Sequence, residues 1–215
     1  MNKEILLFGI GPLAKTVLSL IKEIDSICVK GFVVDDEYFI DKEFLGFSVF
    51  KLSEVPIENK IVVCIGYKNM RMRKEVYDKL KNKGFRFENI IHPTVYISEN
   101  TIMGDNNIIF PNVCIEPNVK IGNNNIIWSQ TLIGHDAIVY NHNYISAKVL
   151  IGGNSKVYDN SFLGNAVSTI NDLIIETETY LVAGSFLFNN TQKFTKYFGN
   201  PARKIDTHQN SGILI

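Results

Sequence analysis

Apolar and polar residues alternate in two different rhythms along this chain, and the change of rhythm divides it. In the first ninety or so residues, short apolar runs alternate with stretches of helical spacing. Ile5-Leu6-Leu7-Phe8 predicts a buried strand, followed by Gly9-Ile10-Gly11, after which Leu13, Val17, Leu18, Leu20 and Ile21 recur as one face of a helix. Cys28 to Val34 predicts a second strand ending at Asp35-Asp36, and Ile61 to Ile65 a third ending at Gly66. Met70 to Lys83 predicts a helix with Val76, Tyr77 and Leu80 on its apolar side, and Phe87 to Ile91 offers a fourth strand. Such alternation predicts a small parallel sheet with helices on its faces.

Beyond that point the period is six. Stepping from Ile97 gives Met103, Ile109, Ile115, Ile121, Ile127, Ile133, Val139, Ile145, Ile151, Val157, Leu163, Thr169, Ile175, Leu181 and Leu187; fifteen of these sixteen positions are apolar. At 46% apolar residues overall, chance would supply roughly seven. Gly follows at 104, 122, 134, 152 and 164, and small or β-branched residues such as Val113, Thr131, Val149 and Val167 sit two positions before. A six-residue period joins a short strand to a tight turn, and three units close a triangular coil of 18 residues whose stacking buries the apolar column. The turns account for the Asn: 17 fall in residues 94–200 against five in residues 1–93. Pro93 pushes His92 into an extended conformation, so the boundary is expected near Ile91-His92-Pro93.

Composition narrows the chemistry. Twenty-two basic residues balance 22 acidic ones in 215, leaving no positive field to attract nucleic acid or an anionic membrane surface. The apolar runs are far short of the ~18 residues that span a bilayer. Asn2-Lys3-Glu4 leads directly into a short strand-like run, so no signal peptide is expected. Cys28, Cys64 and Cys114 are odd in number and scattered, which predicts neither a disulfide framework nor a zinc cluster and fits a reducing cytoplasm.

The hexapeptide array resembles the left-handed parallel β-helix acyltransferases, and Gly199-Asn200-Pro201-Ala202-Arg203-Lys204-Ile205 is similar to the tail common in that group. With Gly9-x-Gly11 ahead of the array, the chain resembles the NeuD/PglD-like sugar acyltransferases over nearly its whole length. The expected fold is therefore an α/β Rossmann-like sugar-nucleotide-binding domain over residues 1–92, followed by an all-β left-handed parallel β-helix with a C-terminal tail over residues 93–215. The resemblance also implies a homotrimer, with acetyl-CoA in a groove between neighbouring β-helices and the acceptor sugar nucleotide reaching it from the amino-terminal domain. Such rigid positioning would make a bimolecular acyl transfer nearly unimolecular.

His135, just after the inward Ile133 and Gly134, falls at a coil turn outside the core. It reads either as a polar turn residue or, by the resemblance, as the general base, with Asp136 holding its tautomer. Gly153, 18 residues on in the same column, is implied to offer its N–H to the thioester oxygen; a glycine kept for turn geometry is the alternative. Tyr144 stands where the family has a second histidine that contacts the coenzyme, and Asn165 and Ala183 match backbone contacts along the pantetheine arm. Lys156, Lys193, Lys196, Arg203 and Lys204 are either adenosine-phosphate ligands or plain surface charges.

Gly9-Ile10-Gly11 before a helix, with Asp35-Asp36 some way downstream, imitates a dinucleotide fingerprint. Ala14 in place of the third glycine and the absence of a second mononucleotide half exclude the full dinucleotide reading. By the resemblance, Gly11, Leu13 and Lys15 would lie by the diphosphate, Asp35 and Asp36 by base or ribose, and Gly66 with Asn69 would form a second wall. His142 is expected as a solvated turn residue, His92 and His208 as structural or exposed, and no catalytic metal is expected. The leading expectation is a cytoplasmic acetyl-CoA-dependent N-acetyltransferase of a nucleotide-linked 4-amino-4,6-dideoxy sugar in surface-glycan (O-antigen, capsule or glycoprotein-glycan) synthesis. The alternatives are sialic acid-type O-acetylation and a non-catalytic sugar-nucleotide scaffold.

Overall fold

The run from Ile5 to Phe8 has no polar face to show to water, so it belongs at the centre of a parallel sheet covered on both sides. The computed structural model describes residues 2–215 and places it there. Strands β1 (Lys3–Phe8), β2 (Ile27–Val34), β3 (Glu43–Phe44), β4 (Phe47–Lys51), β5 (Lys60–Val63) and β6 (Arg86–Phe87) form one sheet in the order β3-β4-β2-β1-β5-β6, parallel except for the β3-β4 hairpin. Helix α1 (Pro12–Ile21) starts directly after Gly11 with proline in its first turn, where its missing N–H leaves no bond unmade. Helix α2 (Met70–Asn82) is capped by Asn69, whose Oδ1 accepts from the Met72 N–H at 3.0 Å, and carries Lys79 and Lys81 against the negative end of its dipole. The two helices pack on opposite faces, α1 with Ile5, Leu7 and Phe32, α2 with Leu6, Phe8 and Val33.

From Ile90 onward, seventeen two-residue strands recur every six residues. Each of the first fourteen pairs in parallel with the strand 18 residues further on, as Ile108 with Ile126, Ile126 with Tyr144 and Tyr144 with Phe162, giving a three-faced left-handed β-helix. The second residue of each strand points inward: Ile109, Ile115, Ile127, Ile133 and Ile145 are fully buried. One turn residue per unit takes positive φ, 55° at Asn106, 60° at Asp136 and 61° at His142. Asn and Asp enter this region at least cost among non-glycine residues. Other asparagines form a buried ladder: the N–H of Asn125 donates to Asn107 Oδ1 at 3.0 Å, Asn143 to Asn125 at 2.9 Å, and Ser161 to Asn143 at 2.8 Å. Stacked coils would otherwise strand these amides without water.

The separate Rossmann-like domain expected over residues 1–92 does not form, and this corrects the sequence reading. The described residues hold only two α-helices; the sheet closes a core of its own only on its α2 side, while its α1 side packs into a core shared with the β-helix. The outward positions of one β-helix face are Ile90, Ile108, Ile126, Tyr144 and Phe162, and they share a single apolar core with α1, β1 and β2. Polar bonds cross the same junction. The Val63 N–H donates to Asn106 Oδ1 at 2.8 Å, and the buried Arg73 of α2 donates to the carbonyls of His142, at 2.7 Å, and Asn124. The sheet is thus a wing fused to the β-helix.

At the far end, the strand Thr195–Gly199 pairs with Tyr180-Leu181 and turns back as Ala202–Thr207, capping the open last coil. Residues 208–215 then return to the wing, where Ile213 is 1% exposed within the shared core.

Candidate active site

The turn Gly134-His135-Asp136 leaves the strand Leu132-Ile133. The positive φ of Asp136 brings its carboxylate beside the preceding ring, with His135 Nδ1 and Asp136 Oδ2 2.9 Å apart. Asn118, one coil earlier, donates to the other carboxylate oxygen at 3.1 Å, and the His135 N–H donates to Glu116 Oε2 at 2.8 Å. The ring itself is exposed. Its hydrogen bond to Asp136, with Glu116 and Asp172 nearby, holds the imidazole above its ordinary pKa of 6.5. The same bond, seconded by Asn118, holds the Asp136 carboxyl below its ordinary range. With Nδ1 engaged by the carboxylate, Nε2 is the nitrogen left to exchange a proton. Nε2 lies over Gly153: a Cβ built there would stand 2.6 Å from it. The Gly153 N–H donates to Asn171 Oδ1 at 3.0 Å, so the amide expected to stabilise an oxyanion is already bonded within the chain.

Two cavities lie along another edge, where the wing meets the β-helix. The first, about 470 Å3, opens at the carboxyl ends of β1 and β5 and is lined by Gly9, Gly11, Leu13, Gly66 and Asn69. This is where parallel sheets bind ligands, since the strands end there and a helix N-terminus begins. The second, about 480 Å3, follows the corner of the coils past Ser146, Asn165 and Ala183. Tyr67, Trp128 and Tyr144 line both cavities and join them. Tyr144 stacks on Phe162 at 5.3 Å between ring centres and meets Tyr67 edge-on at 4.9 Å. Burial raises the Tyr144 phenol, which keeps it a neutral hydrogen-bond donor.

The structure therefore brings together Gly11, Leu13, Gly66 and Asn69 in one cavity and Tyr144, Asn165 and Ala183 in its neighbour. Three expected contacts lie apart. Lys15 is not in the cavity wall; its Nζ sits 5.6 Å from the centre of the Phe44 ring. Asp35 pairs with Lys79 at 2.5 Å, and Asp36 accepts from the Ser53 N–H at 3.1 Å. Both line a separate open groove with Lys83. The strand β2 ends with these carboxylates turned toward α2, away from the Gly-x-Gly turn. His135, Asp136 and Gly153 line neither cavity; they lie at the corner across the next face.

His142 also departs from expectation. It is 6% exposed, accepts at Nδ1 from Asn124 Nδ2 at 2.9 Å, and packs against Tyr77. Burial, then the Arg73 charge, push its pKa down to about 4. Trp128, Tyr67, Phe162 and Tyr180 escaped the sequence reading. For Phe162 and Tyr180 the signal was present: every third repeat carries an apolar residue in its outward position as well as its inward one, from Ile108 through Tyr180; Trp128 and Tyr67 lie outside that pattern. Among the described residues, no group of three or more His, Cys, Asp or Glu side chains converges to hold a metal ion.

Comparison with known proteins follows the same lines. The GMPPB C-terminal domain family matches residues 86–185. No curated protein sequence matches the chain. The acetyltransferase domain of PglB from Neisseria gonorrhoeae, in complex with acetyl coenzyme A, superposes with a TM-score of 0.84 at 20% identity, over 95% of this chain and 100% of that one. A mutant of perosamine N-acetyltransferase from Caulobacter crescentus, in complex with CoA and GDP-perosamine, gives 0.84 at 22% identity over 94% and 97%. WeeI from Acinetobacter baumannii gives 0.81 at 18% identity over 94% and 100%. A single acetyltransferase domain covers nearly all of this chain, consistent with a wing that is no separate domain. The chain thus shares, from its first strands through its coils, the fold of the PglB acetyltransferase domain and of perosamine N-acetyltransferase.

Proposed function

We propose that this protein is an acetyl-CoA-dependent N-acetyltransferase of a nucleotide-linked 4-amino-4,6-dideoxy sugar. The observation that carries the reading is the joined pair of cavities. One is a glycine-lined crevice at strand ends, suited to a diphosphate. The other is a channel along the coil corner where Tyr144, Asn165 and Ala183 meet. Two proteins of the same fold are described with acetyl coenzyme A and with CoA plus GDP-perosamine, which supports this pairing of donor and acceptor.

In the mechanism, the neutral His135 Nε2 accepts a proton from the sugar amine as its nitrogen attacks the thioester carbonyl. Asp136 holds the other ring nitrogen and stabilises the imidazolium that forms. Collapse of the tetrahedral intermediate breaks the C–S bond, and the imidazolium returns the proton to the departing sulfur. The Gly153 amide takes no part in this scheme while Asn171 holds it.

His135 and the Tyr144 channel occupy different edges of one prism, so a complete site needs the edge of a second copy. The face between those edges carries exposed Tyr96 and Leu150, and burying such a face against another copy would bring the edges together. We therefore read the protein as a homotrimer. Its free cysteines fit the reducing cytoplasm, and no helix is long and apolar enough to cross a membrane among the described residues. The product would serve surface-glycan synthesis.

The test measures thiol release from acetyl-CoA with panels of 4-amino-sugar nucleotides and of sialic acids, alongside sedimentation velocity. Turnover restricted to the amino sugars by a trimer is expected. Turnover only with sialic acids would mean O-acetylation, and turnover with neither would leave a binding scaffold.

A further inference from the structure

The last eight described residues belong to no coil, yet they are firmly held. His208 Nε2 bonds to the Glu178 carbonyl at 2.7 Å, and the Gly212 N–H donates to the His208 carbonyl at 2.9 Å. Arg71, in the first turn of α2, spans the segment and the β-helix together. Its Nη1 and Nη2 donate to the carbonyls of Asn210, at 3.1 Å, and Gln209, at 2.7 Å, while its Nε faces Glu178 Oε1 at 3.0 Å. Gly212 adopts φ 70° directly beneath the Arg71 side chain, where a Cβ would stand 3.0 Å from Arg71 Cδ. Beyond it, Ile213 is sunk in the shared core and Leu214 bridges Asn69, the cap of α2. Ile215 then lines the second cavity beside Tyr144, Asn165, Tyr180 and Ala183.

We propose that residues 208–215 are a strap forming the outer wall of the coenzyme channel, with Ile215 touching the apolar stretch of the bound donor and Arg71 as the residue that positions the strap. This rests on reading the second cavity as the donor site. The chemistry fits: Ile215 is 44% exposed, an apolar side chain facing an aromatic channel, and an alkyl-amide arm lying there would cover it. The guanidinium suits its task because three donors must be aimed at once, at two carbonyls and a carboxylate, from one planar group.

Trp128 is the only tryptophan and lines the channel, so its fluorescence reports occupancy without any acceptor or turnover. Coenzyme A is titrated into the full-length wild type and into Ile215→Ala, Ile215→Leu and Arg71→Ala, with thermal unfolding recorded for each. Wild type is expected to bind. Ile215→Ala and Arg71→Ala should weaken coenzyme A by about tenfold, the loss of one good apolar contact, and Ile215→Leu should restore near wild-type affinity. Because Ile213 still anchors the strap in Ile215→Ala, that variant should melt with wild type, which separates a contact role from a structural one. Equal affinity in wild type and both weakening variants would overturn the strap while leaving the donor site standing. No response in wild type would overturn the donor reading and the strap with it.

Discussion

His135 Nδ1 and Asp136 Oδ2 lie 2.9 Å apart across a single turn, although the two residues are adjacent in sequence. Adjacent side chains on a strand point to opposite faces. They meet here because Asp136 occupies the left-handed region, φ 60°, at a coil corner. The repeat that builds the fold therefore also builds this imidazole–carboxylate pair.

A base held above its ordinary pKa is neutral only at higher pH. The rising limb of kcat/KM against pH should have its midpoint above 6.5, because the Asp136 bond favours the protonated ring. In Asp136→Asn that midpoint should move down, while turnover on the plateau falls through loss of ring orientation. His135→Ala should reduce turnover by ~10²–10⁴ with the fold intact. A limb unmoved by Asp136→Asn would remove the carboxylate from this role.

Two neighbouring glycines should separate stability from catalysis. A Cβ at Gly153 meets the exposed His135 ring at 2.6 Å, a side chain free to swing aside; a Cβ at Gly152 meets the Ile170 carbonyl oxygen at 2.3 Å, which is fixed backbone of the next coil. Gly153→Ala should displace the base and lower kcat, with stability changed by less than about 1 kcal/mol. Gly152→Ala should cost about 3 kcal/mol or more, since coils cannot part locally. Urea unfolding and turnover on both variants make the comparison.

The buried His142 should make the protein acid-sensitive. Its pKa is lowered by burial from 6.5 to about 4, so the unfolded chain binds a proton that the folded one refuses. Its contribution is complete above 6.5, declines as pH falls through the window from 6.5 to 4, and is constant below, a loss of up to about 3 kcal/mol. His142→Asn keeps a side chain suited to φ 61° and to bonding Asn124. Thermal melts from pH 7 to 4 should show a smaller decline in that variant than in wild type.

Arg73 should act as the pin between wing and β-helix. Burial lowers its guanidinium to about 9, and its partners are carbonyls rather than a carboxylate. Arg73→Ala should cost roughly 3 kcal/mol, two unmade buried bonds and a void. Hydrogen exchange should then rise in α2 more than in the coils. Uniform exchange across the chain would mean that the junction does not depend on this residue.

The six-residue rhythm was enough to determine the coils, their inward column and the corner location of His135, because each unit repeats the same local choice: an apolar residue inward, then a turn tolerant of positive φ. The same regularity hid the rest. An outward Ile108 or Tyr144 differs from an exposed residue only by what covers it, and that cover, α1, lies some hundred residues away in sequence. This is why two chain segments with distinct rhythms read as separate domains, yet fold into one body joined through a core they share at their junction. Asp35 and Asp36 follow the same logic: their spacing from Gly11 matched a nucleotide site, but the end of β2 turns them toward Lys79 and Ser53. Local pattern decided which elements form. Long-range packing decided which side chains share a cavity, since the direction a strand end faces is set by the helix it must pack against.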